Sequence, residues 1–554
     1  SLRAFVRRAQ SRLARRRPDT VVLFADEESS RLGELLQQAW PGSSVTVFRP
    51  NAEDSAVHAE LTAIGPVDVI IDADLVDPAA RTARFRRTFL HLAEGGCYLL
   101  RRVDAKLKPD TRAETVWQYV ARLIDRRDRG GYPDEPDLRK RKTDPVGAEE
   151  KAIAEAIRRV GYDEELIMIT SSGPRLFPKL REWEVERVLA GKPGIGRILI
   201  KKDGLTTPTR GGLRTNHDRL NHRFSSEYEV PQLQLREYDD VICGPHQVVL
   251  SHDILLPDTF RHVTQPKLTS RFLDDAGPLF ARYPRDLTEP KRLDGSYFYL
   301  SSEWPRHFGH VMTEQLSRMW AWSIAKERHP ELKALLPLPG GHNQLADFEP
   351  AVLSAAGVPI EDFVSPKGVL RVERLLSATP MLVNPTYVHP ELAEVWHRAG
   401  QHLFAQAERK DWPARVFVSR RPHYKRPCHN LAEVEDFFVR HGFTVLYPED
   451  YSVADQAMIF EQAELVAGFA GSAMFSLLFC SGTKPVILIT SESYTARNEY
   501  LIASTLGHRL AVVWCDPDIA QPEKGWDGKA FASGFRVDFA RDGEFLTELV
   551  NTTW

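Results

Sequence analysis

The sequence predicts an α/β protein in which three successive domains alternate strands with helices, as Rossmann-like domains do. Two observations favour this fold class. Short apolar runs recur along the chain, and amphipathic segments long enough for helices separate them. Glycine-containing turns follow several of these runs and lead into the next helix, which is typical of strand–turn–helix units around a parallel sheet.

Composition excludes several classes of protein. The 554 residues are 42 % hydrophobic and 27 % charged with a net charge of −3, so the sequence predicts a soluble globular protein with no overall field for nucleic acid. The five cysteines are scattered, which predicts neither a zinc site nor a disulfide framework and favours the cytoplasm. No signal peptide is recognisable, and because the sequence starts at Ser1 rather than a methionine, an upstream leader stays open.

Residues 1–17 are rich in arginine and predict a basic helix. Its apolar residues are few, so we interpret it as a solvated helix. The alternative is weak contact with an anionic membrane surface, which would place the protein at the inner face of the membrane.

Residues 18–125 predict a Rossmann-like domain. The strand Val67–Asp72, followed by Leu92–Gly96, resembles the later half of a class I methyltransferase. In that family the first strand opens into a glycine-rich turn for the cofactor, whereas here residues 26–30 are acidic and contain no glycine. We therefore interpret the domain as degenerate, with methyltransferase activity as an alternative. Asp72-Ala73-Asp74 resembles an Asp-x-Asp metal motif, and we interpret the match as chance.

Residues 126–229 predict a linker and a mixed region. Two further Rossmann-like domains follow at 230–390 and 413–554, and a bridging helix lies within 391–412. Two such domains joined by a long helix form the architecture called GT-B, in which the ligand lies at strand carboxyl ends in the cleft between the domains.

The last domain carries a candidate anion site. A buried strand turns through Gly468 and Gly471 into a helix beginning at Ser472, which would present backbone N–H groups and the positive end of the helix dipole. The alternative is an ordinary structural turn. Positive side chains follow a neighbouring strand, and arginine binds phosphate oxygens bidentately. They include Arg420, Arg421 and Arg426.

The first of the two lobes carries a candidate base. His310 and Glu314 are four residues apart on a predicted helix, so they share one face. A His–carboxylate pair can act as a general base, and the alternative is an ordinary helix salt bridge.

Four segments between about 230 and 516 resemble, in order, the motifs of glycosyltransferase family 61. The first, His307-Phe308-Gly309-His310 with Glu314 and Arg318, resembles the family's Asn-Phe-x-His-Trp-Leu-x-Glu-x-Leu-Pro-Arg motif. The others are Val418–Arg421 with Asn430, Gly442–Phe460, and Gly468–Phe479.

The resemblance implies an inverting, metal-independent GT-B enzyme that uses a nucleotide-activated sugar, with no further cofactor. By position it places the catalytic residues His310 and Glu314, together with the acceptor-binding residues Arg306 and His307, on the first lobe. On the second lobe it places the donor-binding residues, which are Arg420, Arg421, Arg426, Glu449, Gly471, Ser472 and Ala473.

Three positions depart from the family motifs. Ala470 replaces the motif histidine, Ser476 replaces the motif asparagine, and Leu431 replaces the glutamate that follows the family's second asparagine. The resemblance implies a bacterial-type transferase of surface polysaccharide synthesis, but it does not identify the sugar, the acceptor or the oligomeric state. A non-catalytic glycan- or nucleotide-binding protein is the alternative.

Overall fold

The structure is a computed structural model that describes most of the chain. The described residues are 2–12, 17–25, 31–49, 51–73, 77–101, 114–131, 145–162, 166–192, 194–262, 268, 273–282, 290–421 and 425–551. The chain divides into two compact units. The first contains residues 1–198, 238–292 and 369–371, and the second contains residues 199–237, 293–368 and 372–554.

A six-stranded sheet forms the centre of the first unit. Its strands are β1 (Thr20–Phe24), β2 (Ser44–Phe48), β3 (Val67–Asp72), β4 (Leu92–Arg101), β5 (Ile157–Tyr162) and β6 (Leu166–Ser171). Their order is β2-β1-β3-β4-β6-β5, with β1 to β4 parallel and β6 antiparallel to both neighbours. A parallel sheet with one reversed strand next to its edge agrees with the methyltransferase-like fold expected for this part of the chain.

Helices cover both faces of this sheet, which explains why its central strands are almost wholly apolar. Val22 and Ile70 face one hydrophobic cluster, while Leu23 and Ile71, one residue further on, face the other. The helices of this unit are Leu2–Arg12, Arg31–Ala39, Asp54–Ile64, Pro78–Thr88, Val116–Asp128, Pro145–Ala156 and Val185–Gly191.

The sheet extends past the predicted domain boundary at residue 125. Strands β5 and β6 and the helix before them fall within 126–229, the segment interpreted as a linker and mixed region. The charge, glycine and proline content that suggested a linker is concentrated ahead of that helix, and residues 132–144 lie outside the described residues.

Three expectations for this unit can be compared with the structure. The N-terminal helix packs Val6 and Ala9 into the hydrophobic core, so its apolar side faces inward. The carboxylate of Asp72 is fully buried and bound by Arg84 at 3.0 Å and Tyr98 at 3.1 Å, which is a structural role. Asp74 and the glycine-free turn at 26–30 lie outside the described residues.

Several short elements complete the first unit. Its remaining strands are Phe177–Pro178, Val248–Ser251, Ile254–Leu255, Asp274–Asp275 and Phe280–Arg282. Four strands contribute residues to both units, namely Gly196–Lys202, Leu233–Gly244, Lys291–Tyr299 and Leu370–Ala378.

The second unit contains the whole of the second predicted lobe, whereas residues 238–292 and 369–371 of the first predicted lobe, 230–390, belong to the first unit. In the first lobe Lys333–Leu335 pairs in parallel with 297–299 on one side and with Phe363–Val364 on the other. A helical segment and the helix Phe348–Ala355 connect these strands, so this part of the lobe is a small Rossmann-like arrangement. Two-residue strands, Leu382–Val383 and Tyr387–Val388, form a hairpin ahead of the helix Leu392–Gln406.

The second lobe is a six-stranded, all-parallel sheet. Its strand order is Leu213–Thr215, Arg509–Cys515, Pro485–Ser491, Leu465–Phe469, Arg415–Val418 and Thr444–Leu446. Its helices are Leu431–Arg440, Val453–Gln462, Ser472–Phe479, Asn498–Leu506, Gly528–Ala532 and Phe539–Asn551. The predicted α/β class with Rossmann-like parallel strands is confirmed.

Three details of the second unit differ from the sequence-based expectation. Leu213–Thr215, placed in the mixed region 126–229, is an edge strand of the last sheet. Ser472–Phe479 is a 3₁₀-helix rather than an α-helix. Asn430 and Glu433 have the spacing of a capping box, which predicts that Asn430 caps its helix, but the side-chain amide of Asn430 bonds to Val537 and Glu433 instead. Leu205–Pro208 and Glu227–Val230 form a separate antiparallel pair.

Candidate active site

The predicted base pair forms at the start of a helical segment. Phe308–His310 is followed by a π-helical turn at Val311–Gln315, a 3₁₀ turn at Leu316–Ala321 and an α-helix at Trp322–Arg328. The helix predicted to carry His310 and Glu314 is therefore irregular at its start. Such π-turns occur frequently at functional sites.

His310 and Glu314 are joined across this π-turn. The Nδ1 atom of His310 lies 2.6 Å from Oε1 of Glu314, and both side chains are about one-sixth exposed, at 16 % and 15 %. Because a carboxylate accepts, Nδ1 of His310 donates to Glu314, and in a neutral imidazole with this tautomer the lone pair lies on Nε2. The pair is therefore arranged so that Nε2 can accept a proton while Glu314 stabilises the imidazolium that results.

Two aromatic groups hold the His310 ring. Trp304 stacks on it with centroids 6.2 Å apart, and the ring of His307 lies edge-on at 4.7 Å. His307 is exposed, and its role in acceptor binding stays a prediction. Arg306 has a positive φ of 61°; its guanidinium donates to the carbonyl of Gln344 and its backbone N–H donates to Glu349 at 3.2 Å. In this structure Arg306 therefore fixes the loop.

The base pair lies against the turn predicted to bind the donor. A Cβ atom on Gly309 would stand 2.9 Å from the Cβ of Ser472 and 3.2 Å from the ring of Phe475. Real Cβ atoms do not approach so closely, so only glycine permits this contact. The structure thus brings the start of the His310 segment next to the start of the 3₁₀-helix at Ser472.

The turn itself contains an internal carboxylate that the sequence analysis did not identify. Gly471, at φ 142°, donates its N–H to Oε1 of Glu499 at 2.5 Å. The first hydrogen bond of the following helix runs from the N–H of Met474 to the carbonyl of Gly471. The N–H groups of Ser472 and Ala473 come before this bond, so they take no part in the hydrogen bonds within the helix. The expectation that the whole turn offers its amides to a phosphate is therefore corrected at Gly471, whose amide is already bound.

Two of the predicted arginines meet beside this turn. Arg420 lies over Phe469 at 5.1 Å and donates to the carbonyl of Arg426. Burial, together with the neighbouring charge of Arg426, lowers the pKa of Arg420 to about 10. Two adjacent cations in a half-buried position favour an anionic ligand.

Arg426 is the closer of the two to the turn. Its guanidinium lies over Tyr494 at 4.5 Å and over Phe531 at 5.4 Å, and a Cβ atom on Gly471 would stand 3.2 Å from one of its nitrogens. Its buried Nε has no hydrogen-bond partner among the described residues. A buried donor of this kind is costly unless a ligand satisfies it.

Arg421 and Glu449, also predicted on the donor side, pair with each other. Their side chains are 3.3 Å apart, and Arg421 also binds Asp450 at 2.6 Å. Both are half exposed, so in this structure they form a surface ion pair. Their donor-binding role stays a prediction.

Glu499 and Tyr494 carried no recognisable signal in the sequence. Glu499 lies 28 residues from Gly471 along the chain, and only the parallel sheet between them brings the two together. Ala470, at the position of the family's motif histidine, is buried. A surface cavity of about 520 Å³ opens against Trp322 and Lys326 at the far end of the same helical segment, and its lining includes none of the predicted site residues.

Two kinds of feature are absent among the described residues. No group of three or more His, Cys, Asp or Glu side chains there is arranged to hold a metal ion. Within the same residues, no helix combines the length and the apolar character that crossing a membrane requires.

Comparison with known proteins identifies one family. Residues 308–487 match the family model described as Glycosyltransferase 61. This range contains the predicted catalytic pair, all the predicted donor-side residues and the contact between Gly309 and Ser472. The resemblance noted in the sequence is confirmed, and the match supports glycosyltransferase activity. No curated protein matches the chain.

Two solved structures show weak overall likeness. One is the MycE methyltransferase of the mycinamycin biosynthetic pathway, in complex with Mg and SAH, at 12 % identity over 30 % of this chain and 47 % of that chain, with a TM-score of 0.23. The other is a family 9 glycosyl transferase from Veillonella parvula, at 9 % identity over 48 % of this chain and 99 % of that chain, with a TM-score of 0.21. The chain thus spans about half the length of the methyltransferase, and at these scores neither likeness carries an argument.

Proposed function

We propose that this chain, which carries a glycosyltransferase 61 domain over residues 308–487, transfers a sugar from a nucleotide-sugar donor to a glycan acceptor with inversion at the anomeric carbon. The observation that carries the proposal is the contact between Gly309 and Ser472. This contact supports the proposal because it brings the segment that carries the candidate base next to the turn of the candidate anion site.

In the proposed reaction His310 acts on the acceptor, and the residues of the anion site act on the leaving diphosphate. The Nε2 atom of His310 takes the proton of the acceptor hydroxyl while the oxygen forms a bond to the anomeric carbon. The bond from that carbon to the diphosphate breaks on the opposite face, and the electron pair leaves with the diphosphate. Arg420, Arg426 and the N–H groups at Ser472 and Ala473 stabilise the negative charge that develops there.

The setting of the reaction belongs to the same proposal. The donor is a hexosyl or pentosyl nucleotide, the acceptor is a bacterial surface or cell-wall glycan, and the enzyme works in the cytoplasm without a metal ion. Fixed arginine charges support the last point, because they can neutralise a diphosphate as a divalent cation does.

The experiment that tests the function has two stages. A thermal-shift panel of nucleoside diphosphates and nucleotide sugars identifies the donor, which we expect to raise the Tm of the full chain. Product formation with that donor is then measured for the native protein and for His310→Ala. If no nucleotide or nucleotide sugar raises the Tm, the proposed function is wrong.

One observation favours a second candidate. Ala470 removes the imidazole that the family motif has at this turn, so a protein that binds nucleotide sugar without transferring it is the alternative. Saturable donor binding without any product, across a broad acceptor panel, would favour that alternative.

A further inference from the structure

Glu499 is a buried carboxylate at the turn where the donor diphosphate is proposed to bind. It is 2 % exposed and is the second residue of the helix Asn498–Leu506. Its Oε1 accepts the N–H of Gly471 at 2.5 Å and the hydroxyl of Tyr494 at 3.3 Å. An acidic side chain therefore already lies among the groups that would attract an anion.

The charged surroundings of Glu499 come from few residues. Among the described residues of the elements packed against its helix, the ionisable groups that face it are Arg426 and Tyr494. The remaining donors are two backbone N–H groups, that of Gly471 and its own. Arg426 is thus close both to Glu499 and to the turn at Gly471, so it can neutralise either the carboxylate or a bound phosphate.

We propose that Glu499 takes up one proton from solvent when the diphosphate end of the donor binds beside Arg426 and Ser472, and that it releases this proton when the product leaves. The inference rests on the proposed function and adds a proton linkage to the same site. Two negative groups that share one arginine in a buried position repel strongly, and protonation of the carboxylate removes that repulsion.

The protonated form fits the same contacts. Its carbonyl oxygen still accepts from the N–H of Gly471, so the turn keeps its conformation. Its new O–H can donate to a phosphate oxygen, which an ionised carboxylate cannot do. Glu499 is thus a positioning residue for the turn, and its protonation state determines how well the turn accepts an anion.

Protonation of Glu499 requires little free energy near neutral pH. Burial raises the pKa of Glu499 to about 7, although the N–H groups and Arg426 act in the opposite direction. A bound anion raises the pKa further. By linkage, affinity then falls as pH rises above 7, by at most tenfold for each pH unit.

The test is titration calorimetry of the full chain with UDP, GDP and inorganic pyrophosphate. Each titration is made at pH 8 in two buffers with different enthalpies of ionisation, so that the difference gives the number of protons taken up. For the native protein we expect an uptake approaching one proton, and a Kd that weakens roughly tenfold between pH 7.5 and 9.

Variants assign the proton to Glu499. Glu499→Gln keeps an oxygen to accept from Gly471, and we expect it to bind the probe without proton uptake and with a Kd independent of pH. The matched control is Glu461→Gln, because Glu461 also accepts a backbone N–H, that of Ser481 at 2.8 Å, in the same lobe. This control should retain the native proton uptake.

Each outcome decides the proposal. Binding without proton uptake in the native protein overturns it and leaves the proposed function standing, and this measurement needs no variant. Uptake that persists in Glu499→Gln overturns the assignment to Glu499. Failure of all three probes to bind overturns this proposal, and the thermal-shift panel of nucleotides and nucleotide sugars then decides the proposed function separately.

Discussion

Gly309 and Ser472 approach each other so closely that a Cβ atom on Gly309 would stand 2.9 Å from the Cβ of Ser472. This contact joins the segment of the candidate base to the turn of the candidate donor site. Since catalysis depends on positions held to within about 1 Å, the spacing of these two elements should matter for turnover.

We therefore expect Gly309→Ala to lower turnover by about a hundredfold and the free energy of unfolding by about 1–3 kcal/mol, because one element must shift to make room. Gly340→Ala is the control, since a Cβ atom there meets nothing within 4 Å. Steady-state kinetics and chemical denaturation on both variants check the prediction. Native turnover in Gly309→Ala would show that the contact does not set the geometry of the site.

Turnover should depend on the His310–Glu314 pair. We expect that at least one of His310→Ala and Glu314→Gln lowers turnover by about a hundred- to ten-thousandfold, while donor affinity changes less than about threefold. A general base acts on the transition state, whereas an ordinary surface ion pair contributes under about 1 kcal/mol to stability and nothing to rate.

A second His–carboxylate pair in the same unit provides the matched control for this test. Nε2 of His329 lies 2.6 Å from Oε2 of Glu237, the same distance as in the candidate base. His329→Ala should keep its turnover even if it loses stability. If both His310→Ala and Glu314→Gln keep near-native turnover, the base lies elsewhere.

The sequence could predict those features whose residues lie close together along the chain. The pairing of His310 with Glu314 depends on a spacing of four residues, and the strand–turn–helix around Gly471 depends on consecutive residues, so both were recognisable. The contact between Gly471 and Glu499 depends on how parallel strands are ordered, which one sequence does not reveal. Arg421 and Glu449 were predicted from the sequence to bind the donor. The folded structure shows that they pair with each other, and this contact could not be read from the sequence.

Arg420 and Arg426 should each contribute to donor affinity. We expect Arg420→Ala or Arg426→Ala to weaken binding of the nucleotide sugar by about 1.5–3 kcal/mol, the scale of a charged hydrogen bond. Titration calorimetry measures the loss. Arg214→Ala serves as control, because Arg214 forms an exposed pair with Glu548 on the edge strand of the same sheet. Unchanged affinity in both Arg420→Ala and Arg426→Ala would contradict the assignment.

Turnover should not require a divalent cation. Because fixed arginine charges stabilise the leaving diphosphate in the proposed reaction, we expect full activity in the presence of EDTA. The measurement compares initial rates before and after chelation, with Mg²⁺ and Mn²⁺ added back separately. Activity that disappears in EDTA and returns with either ion would show that a metal, rather than the arginines alone, carries the charge.

Stability of the first unit should depend on pH through two buried histidines. Nδ1 of His58 lies 3.0 Å from Nε2 of His91, and Nε2 of His58 lies 3.1 Å from the carbonyl of Lys179. The carbonyl can only accept, so His58 donates from Nε2 and accepts from His91 at Nδ1, and both rings are neutral. Burial lowers the pKa of His58 to about 4 and that of His91 well below its usual range.

The direction of the effect follows from these lowered pKa values. An unfolded histidine has a pKa near 6.5, so the unfolded chain binds these protons first. The contribution of the two neutral rings to the free energy of unfolding is complete above about pH 6.5 and is lost as the pH falls toward 4. For His58 alone this loss is about 3 kcal/mol. Urea denaturation between pH 7.5 and 4.5 measures this loss. His58→Gln, whose amide can donate to Lys179 and accept from His91 without titrating, should flatten the profile, and an equally steep fall in this variant would mean that other groups cause the acid sensitivity.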